Sequence, residues 1–72
     1  MEVAIIKNGS FVQRSNSVEE AIETVRGWYA NIIWQERKDT IEVRNIVIES
    51  NGYEHTGHDV LFERDSSYFW SI

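Results

Sequence analysis

The segment SVEEAIETVRGWYANIIWQ, residues 17–35, decides the fold, because its apolar side chains recur with the period of an α-helix. They fall in one stripe, which predicts an amphipathic helix over about residues 18–35. The stripe consists of Val18, Ala21, Ile22, Val25, Trp28, Tyr29, Ile32 and Ile33. Ser17 and Glu20 match a capping box, in which each side chain accepts a hydrogen bond from the backbone N–H of the other residue.

The end of this helix has two interpretations. If the helix continues past Asn31, Trp34 points away from the stripe into solvent, where a tryptophan is typical of an interface anchor. If it stops near Asn31, Trp34 turns towards the core. We favour an end near Gln35, because Ile32 and Ile33 keep the helical phase.

Five segments have the composition of β-strands, at about residues 2–7, 10–14, 40–49, 53–64 and 68–72. The first two flank Asn8-Gly9, a two-residue loop typical of a type I′ turn. This turn sets Lys7 opposite Ser10, Ile6 opposite Phe11 and Ile5 opposite Val12.

Asn51-Gly52 predicts a similar turn between the third and fourth segments, with Val43 opposite Val60. The same register sets two carboxylates opposite each other, so a β-bulge near Gly57 is an alternative. The element order is ββαβββ. We expect a single α+β domain over residues 1–72, in which one amphipathic helix packs on an antiparallel sheet of about five strands.

The predicted sheet is too wide and too apolar for one helix to cover. Five strands span roughly 20–24 Å, whereas a helix is about 10–12 Å across. Residues 3–6 and 46–48 are apolar on both faces of their strands. Either the sheet curls and hides these side chains, or its second face or an edge strand meets another protein chain.

Composition limits the classes of function. The chain has 72 residues, a net charge of −5 and no cysteine. The acidic balance disfavours direct binding to nucleic acid or to an anionic membrane. The N-terminus lacks the pattern of a signal peptide, and no apolar segment reaches the roughly 20 residues of a membrane span. A small secreted domain usually carries disulfides, so we expect a cytoplasmic protein.

No motif in the sequence predicts catalysis, a cofactor or a metal. His55 and His58 are three residues apart, a spacing that points to opposite faces of a strand. A zinc site needs about four ligands, and only Glu54 and Asp59 are near in sequence. Asp65-Ser66-Ser67 is typical of a turn rather than of a nucleophile. We therefore expect neither an enzyme nor a metalloprotein.

The expected function is a small protein-interaction module that self-associates as a homodimer or binds a larger protein. Inhibitors of this size and charge occur among phage and mobile-element products. The candidate interface residues are Trp34, Tyr68, Phe69 and Trp70. The alternative is an acidic mimic of nucleic acid, which would inhibit a nuclease or DNA-binding protein through Glu19, Glu20 and Glu23.

Overall fold

The computed structural model describes residues 1–30 and 38–70, in which one α-helix packs on a four-stranded antiparallel sheet. The elements are β1 (Val3–Lys7), β2 (Ser10–Ser15), α1 (Val18–Trp28), β3 (Thr40–Ile48) and β4 (Glu54–Asp65). The strand order is β2-β1-β3-β4, so β2 and β4 form the two edges. The predicted α+β class is confirmed, and the described residues form four strands rather than the predicted five.

The core lies between α1 and one face of the sheet. Its fully buried members are Val3, Ile5, Ala21, Val25, Tyr29, Ile41, Val43 and Phe69. The predicted apolar stripe of the helix is confirmed as far as Tyr29, because each of its members to that point is buried or packs against this cluster. Within residues 1–30 and 38–70, no helix is long and apolar enough to cross a membrane.

The helix begins where the sequence predicts and ends earlier. Ser17 Oγ accepts from the N–H of Glu20 at 3.1 Å, whereas the Glu20 carboxylate accepts from Asn16 Nδ2 at 3.4 Å. At the other end, the N–H of Tyr29 donates back three residues to the carbonyl of Arg26. Such a bond tightens the final turn of a helix. α1 therefore ends at Trp28, and residues 29 and 30 of the predicted helix are not helical. Residues 31–37, with Trp34 among them, lie outside the described residues.

The first hairpin follows the predicted turn but not the whole predicted register. Asn8 and Gly9 have φ angles of 52° and 84°, as a type I′ turn requires. Lys7 pairs with Ser10 and Ile6 with Phe11, as expected. Ile5 then pairs with Gln13 instead of Val12, because Val12 is the extra residue of a β-bulge.

The second hairpin has a longer loop than Asn51-Gly52 alone. Ile48 pairs with Glu54, and the N–H of Glu49 donates to the carbonyl of Tyr53 at 2.8 Å. The predicted pairing of Val43 with Val60 is wrong, since Val43 pairs with Phe62. The predicted bulge near Gly57 is confirmed by the register shift between Arg44 and Ile46.

Residues 68 and 69 of the predicted fifth strand (68–72) belong instead to a 3₁₀ helix, Ser66–Phe69, and residues 71–72 lie outside the described residues. Asp65 begins it, because its carboxylate accepts hydrogen bonds from the hydroxyl and the N–H of Ser67. The same bonds lower the pKa of Asp65. The 3₁₀ helix places the Phe69 ring in the core, where its centroid lies 6.0 Å from that of the Phe62 ring. A short apolar run does not by itself distinguish a strand from a helical turn.

A buried polar cluster around Asp39 ties the ends of these elements together. The Asp39 carboxyl group accepts from Tyr29 Oη at 2.6 Å and from Asn8 Nδ2 at 3.0 Å. Its backbone N–H donates to Ser66 Oγ at 2.9 Å, and its carbonyl accepts from the N–H of Ser66. Asp39 therefore joins the first turn, the end of α1, the start of β3 and the 3₁₀ helix.

Candidate interaction surface

The sheet face opposite α1 is not covered by any helix or strand of the described residues, and we call it the open face. Residues paired across strands lie on the same face, so the register defines its members. They include Ala4 and Ile6 on β1, Phe11 and Arg14 on β2, Glu42, Arg44, Ile46 and Ile48 on β3, and Glu54, Thr56, Val60 and Glu63 on β4.

The centre of the open face is apolar and closely packed. Ala4 is 0% exposed and Ile6 is 5% exposed, although neither belongs to the core beneath α1. The surrounding apolar side chains are accessible, with Phe11 54% and Val60 45% exposed, and Ile46 is half-buried. We call the buried Ala4 and Ile6 the floor of the open face, and the solvent-accessible Phe11 and Val60 its apolar rim.

Arg14 crosses one end of the open face and pairs with two carboxylates. Its guanidinium contacts Glu54, which is 40 residues away in sequence, and also Glu2. The hydrogen bonds with Glu54 and then Glu2 raise the pKa of Arg14. Exposed ion pairs contribute little to stability. We therefore assign Arg14 a positional role, in which its side chain joins the edge strand β2 to the β3–β4 hairpin.

A shallow cleft lies beside these ion pairs. Its volume is about 240 Å³, and it is lined by Phe11, Arg14, Ile46, Glu54, His55 and Thr56. β3 and β4 extend past the end of β1, since the last β3 residue paired with β1 is Asn45. The cleft is therefore at the base of a projecting two-stranded ribbon, and it combines an aromatic ring with charged groups.

Two glutamates face each other elsewhere on the open face. Glu42 and Glu63 are directly paired across β3 and β4. Arg44 Nη2 lies 2.6 Å from the Glu42 carboxylate, whereas no described basic side chain pairs with the carboxylate of Glu63. Like charges directly opposite each other across a sheet are destabilising. This pair therefore leaves uncompensated negative charge at the apolar rim.

The bulge in β4 fixes the backbone beside the open face. Three residues, Gly57 to Asp59, stand opposite the single residue Asn45. Asn45 Oδ1 accepts from the N–H of Asp59 at 3.1 Å, and the Asn45 amide occupies the place that a Cβ of Gly57 would take. His58 lies within this bulge, so it has no regular cross-strand partner, and it is exposed.

The predicted aromatic interface does not form one surface. Phe69 is buried in the core and Trp70 packs partly buried against it. Tyr68 is 50% exposed, and its ring packs edge-on against Phe69 with 5.2 Å between centroids. Because Phe69 is buried, it does not belong to an accessible surface. Its ring instead packs the 3₁₀ helix against the core. Trp34 lies outside the described residues.

The acidic residues of the alternative hypothesis are accessible but partly compensated. Glu19, Glu20 and Glu23 are all exposed on α1. Arg26 Nε lies 3.9 Å from the Glu23 carboxylate, and the side-chain amide of Asn16 donates to Glu20. Glu19 and Glu20 also lie in the first turn, where negative charge stabilises the helix dipole. A local structural role thus accounts for part of this cluster.

The two histidines have separate environments. His55 Nε2 lies 2.9 Å from a carboxylate oxygen of Glu49, and this hydrogen bond raises the pKa of His55. His58 lies in the bulge of β4. In the part of the chain that the structure describes, no group of three His, Asp or Glu side chains is arranged to hold a metal ion.

The sequence did not identify Phe11, Arg14 and Val60 as members of one surface. The available signal was the presence of apolar residues on both faces of β1 and β3, which predicted a second contact face but not its composition. The register that brings these three residues together depends on the bulge at Val12 and on the two register shifts of β4.

Comparison with known proteins does not indicate a function for this chain. No protein-family model matches the sequence, and no curated protein or solved structure shows significant similarity to it.

Proposed function

We propose that this chain is a small non-enzymatic protein-interaction module, and that it contacts its protein partner through the open face. The observation that carries the proposal is that each of the four strands contributes apolar side chains to the side away from α1, with the charged Glu42 and Arg44 between those of β1 and Val60 of β4. Phe11 and Val60 are accessible there above the buried Ala4 and Ile6. Exposed apolar patches with a polar rim are typical of protein contact sites.

The edge strands are less suited to this contact than the face. β4 carries two register shifts and several exposed charged residues, including Asp59, Glu63 and Arg64. Bulges and charged side chains are the features by which natural edge strands oppose pairing with another chain. β2 also carries a bulge, at Val12. A contact through side chains of the open face is therefore the better proposal.

The partner is either a larger protein, which the module would inhibit or modulate, or a second copy in a homodimer. The lack of cysteine favours the cytoplasm as the place where it acts. No cofactor or metal is part of the proposal. Binding is the proposed function, because the accessible residues of the open face offer apolar contact surface and charge to a partner.

Light scattering and the binding of an apolar dye test this proposal across a range of protein concentrations. The combined variant Phe11→Ser/Val60→Ser should lower dye binding or self-association, with an unchanged circular dichroism spectrum. The matched control is Tyr53→Ser, because Tyr53 is 64% exposed and lies in the loop before β4. A strictly monomeric chain would contradict the homodimer, and a chain that also binds no dye would contradict the accessible apolar surface on which the proposal rests.

A second candidate function is an acidic mimic of nucleic acid that inhibits a nuclease or DNA-binding protein. It is favoured by the exposure of three carboxylates on α1, those of Glu19, Glu20 and Glu23. Reversal of all three charges would then abolish binding to a basic partner, and binding would weaken with added salt. If the triple variant keeps its affinity, this candidate is wrong.

A further inference from the structure

We propose that the occupant of the open face is a basic amphipathic helix of a partner protein. This inference rests on the proposed function of that face as a contact surface, and it adds the chemistry of the partner. It commits to a helix that is apolar on one side and carries lysine or arginine along the boundary of that side.

The apolar requirement follows from the floor and rim of the open face. Ala4 and Ile6 are buried at its centre, and Phe11 and Val60 are accessible around them. A helix is about 10–12 Å across, so it covers two or three strands spaced about 4.8 Å apart. α1 already covers the other face in this way, through Ala21 and its apolar neighbours. A second helix on the open face would complete a three-layer arrangement.

The basic requirement follows from the charges around that apolar centre. Four carboxylates border the face, from Glu2, Glu42, Glu54 and Glu63, against two guanidiniums, from Arg14 and Arg44. Both arginines are already held by these carboxylates. The field that an approaching partner meets is therefore negative.

The pair Glu42 and Glu63 gives this charge a defined position. The two residues are direct cross-strand partners, and Arg44 compensates Glu42. The Glu42 side chain is 17% exposed, so further burial by a partner would strengthen the repulsion from Glu63 unless that partner brought a cation. A lysine or arginine beside Glu63 would compensate the remaining charge.

A second copy of the chain meets this requirement poorly. Each copy carries a net charge of −5, and the outer side of α1 bears the exposed Glu19, Glu20 and Glu23. Packing that helix on the open face of another copy would place carboxylates against carboxylates. Charge complementarity thus selects a basic helix over self-association.

The test uses synthetic peptides as defined probes, titrated into the full chain. The first is an amphipathic helix of leucine and lysine, the second has glutamate in place of lysine, and the third has the leucine and lysine residues in scrambled order. Binding is measured by fluorescence anisotropy of the labelled peptide, and the contact is mapped by amide chemical shifts. We expect the leucine–lysine helix to bind and to shift amides of the open face, with affinity falling as salt is added.

Matched variants locate the contact. Glu63→Lys and Glu19→Lys change the net charge equally, but only the first lies on the open face. Phe11→Ser and Tyr53→Ser each remove an exposed aromatic ring, and only the first lies on that face. We expect roughly tenfold weaker binding for Glu63→Lys and for Phe11→Ser, and a change of less than about twofold for each control.

Four outcomes would overturn the inference. Equal losses for Glu63→Lys and Glu19→Lys would mean that bulk charge alone drives binding, and equal binding of the scrambled peptide would remove the need for an amphipathic helix. Tighter binding of the leucine–glutamate peptide on the open face would refute a basic partner and leave the contact surface standing. Shifts confined to α1 for every peptide would refute the open face itself, and with it the proposed function.

Discussion

The side-chain amide of Asn45 fills the space that a Cβ atom of Gly57 would occupy. Asn45 Oδ1 accepts a hydrogen bond from the N–H of Asp59, on the far side of the same bulge. The glycine is therefore required by close approach of a neighbour and not by its backbone angles. This contact lies in one of the two register shifts of β4, which together place Val60 and Glu63 on the open face.

Replacement of Gly57 should destabilise the fold. In Gly57→Ala, the new methyl group must push the Asn45 amide away from the N–H of Asp59, which costs about 1–3 kcal/mol of the free energy of unfolding. Urea denaturation measures this loss. The control is Gly27→Ala in α1, where nothing lies within 4 Å of the added Cβ. That change should stabilise the protein by about 0.5–1 kcal/mol.

The same contact predicts that two substitutions are not additive. Asn45→Ala removes the amide that a Cβ at position 57 would meet, so Gly57→Ala should cost markedly less in that background. A double-mutant cycle in urea measures the coupling. Additive losses would show that the Asn45 side chain does not determine the need for glycine at this position.

The hydroxyl of Tyr29 should contribute to stability through the Asp39 cluster. Tyr29 is 2% exposed and donates to the Asp39 carboxyl group at 2.6 Å. Tyr29→Phe removes that donor from a buried acceptor and should cost about 1–3 kcal/mol. Tyr53→Phe removes a hydroxyl from a residue that is 64% exposed and should have almost no effect. Equal urea midpoints for both variants would contradict the role of the cluster.

His55 should titrate above its ordinary value because of Glu49. The hydrogen bond from His55 Nε2 to the Glu49 carboxylate raises the pKa of His55. The charged pair therefore contributes its full stability below about pH 6.5, the ordinary value for histidine, and loses it as the pH rises through the raised pKa. An NMR titration of the His55 ring measures the shift.

The matched variants for this titration are Glu49→Gln and Glu54→Gln. The first removes the acceptor of the His55 hydrogen bond, so it should bring the pKa of His55 back towards its ordinary value. The second removes a carboxylate next to His55 in sequence that contacts Arg14 instead, and it should change the pKa of His55 much less. If Glu49→Gln leaves that pKa unchanged, the pair does not form in solution.

Local signals in the sequence predicted much of the fold. Ser17 marked the start of α1, and the spacing of Ala21, Val25 and Tyr29 marked its buried side. Asn8-Gly9 marked the first turn, whose positive φ angles follow from those residue types. Each of these signals acts within a few residues, which is why it is visible in the sequence.

Contacts between distant residues account for the errors. The 3₁₀ helix forms where Asp39 bonds to Ser66, which is 27 residues away, and where Phe69 finds the core. The register of β4 depends on Asn45 across the sheet. Contacts between distant residues leave no pattern in the local sequence. The aromatic run at residues 68–70 therefore resembled a strand.

The open face was predictable in outline and not in its residues. Apolar side chains on both faces of β1 indicated a second contact surface. The bulge at Val12, which aligns Arg14 with Ala4, and the ion pair of Arg14 with Glu54 emerge only from the folded chain.

Site-specific photocrosslinking tests the central claim most directly, because it does not require the partner to be known. A benzophenone amino acid replaces Phe11 on the open face in one variant and Tyr68 beside the 3₁₀ helix in another, two aromatic residues that are 54% and 50% exposed. Irradiation in the native host, followed by mass spectrometry of the adducts, compares the two positions. We predict a discrete protein adduct from position 11 and none from position 68. An adduct from position 68 alone, or equal adducts from both, would contradict the open face as the contact surface.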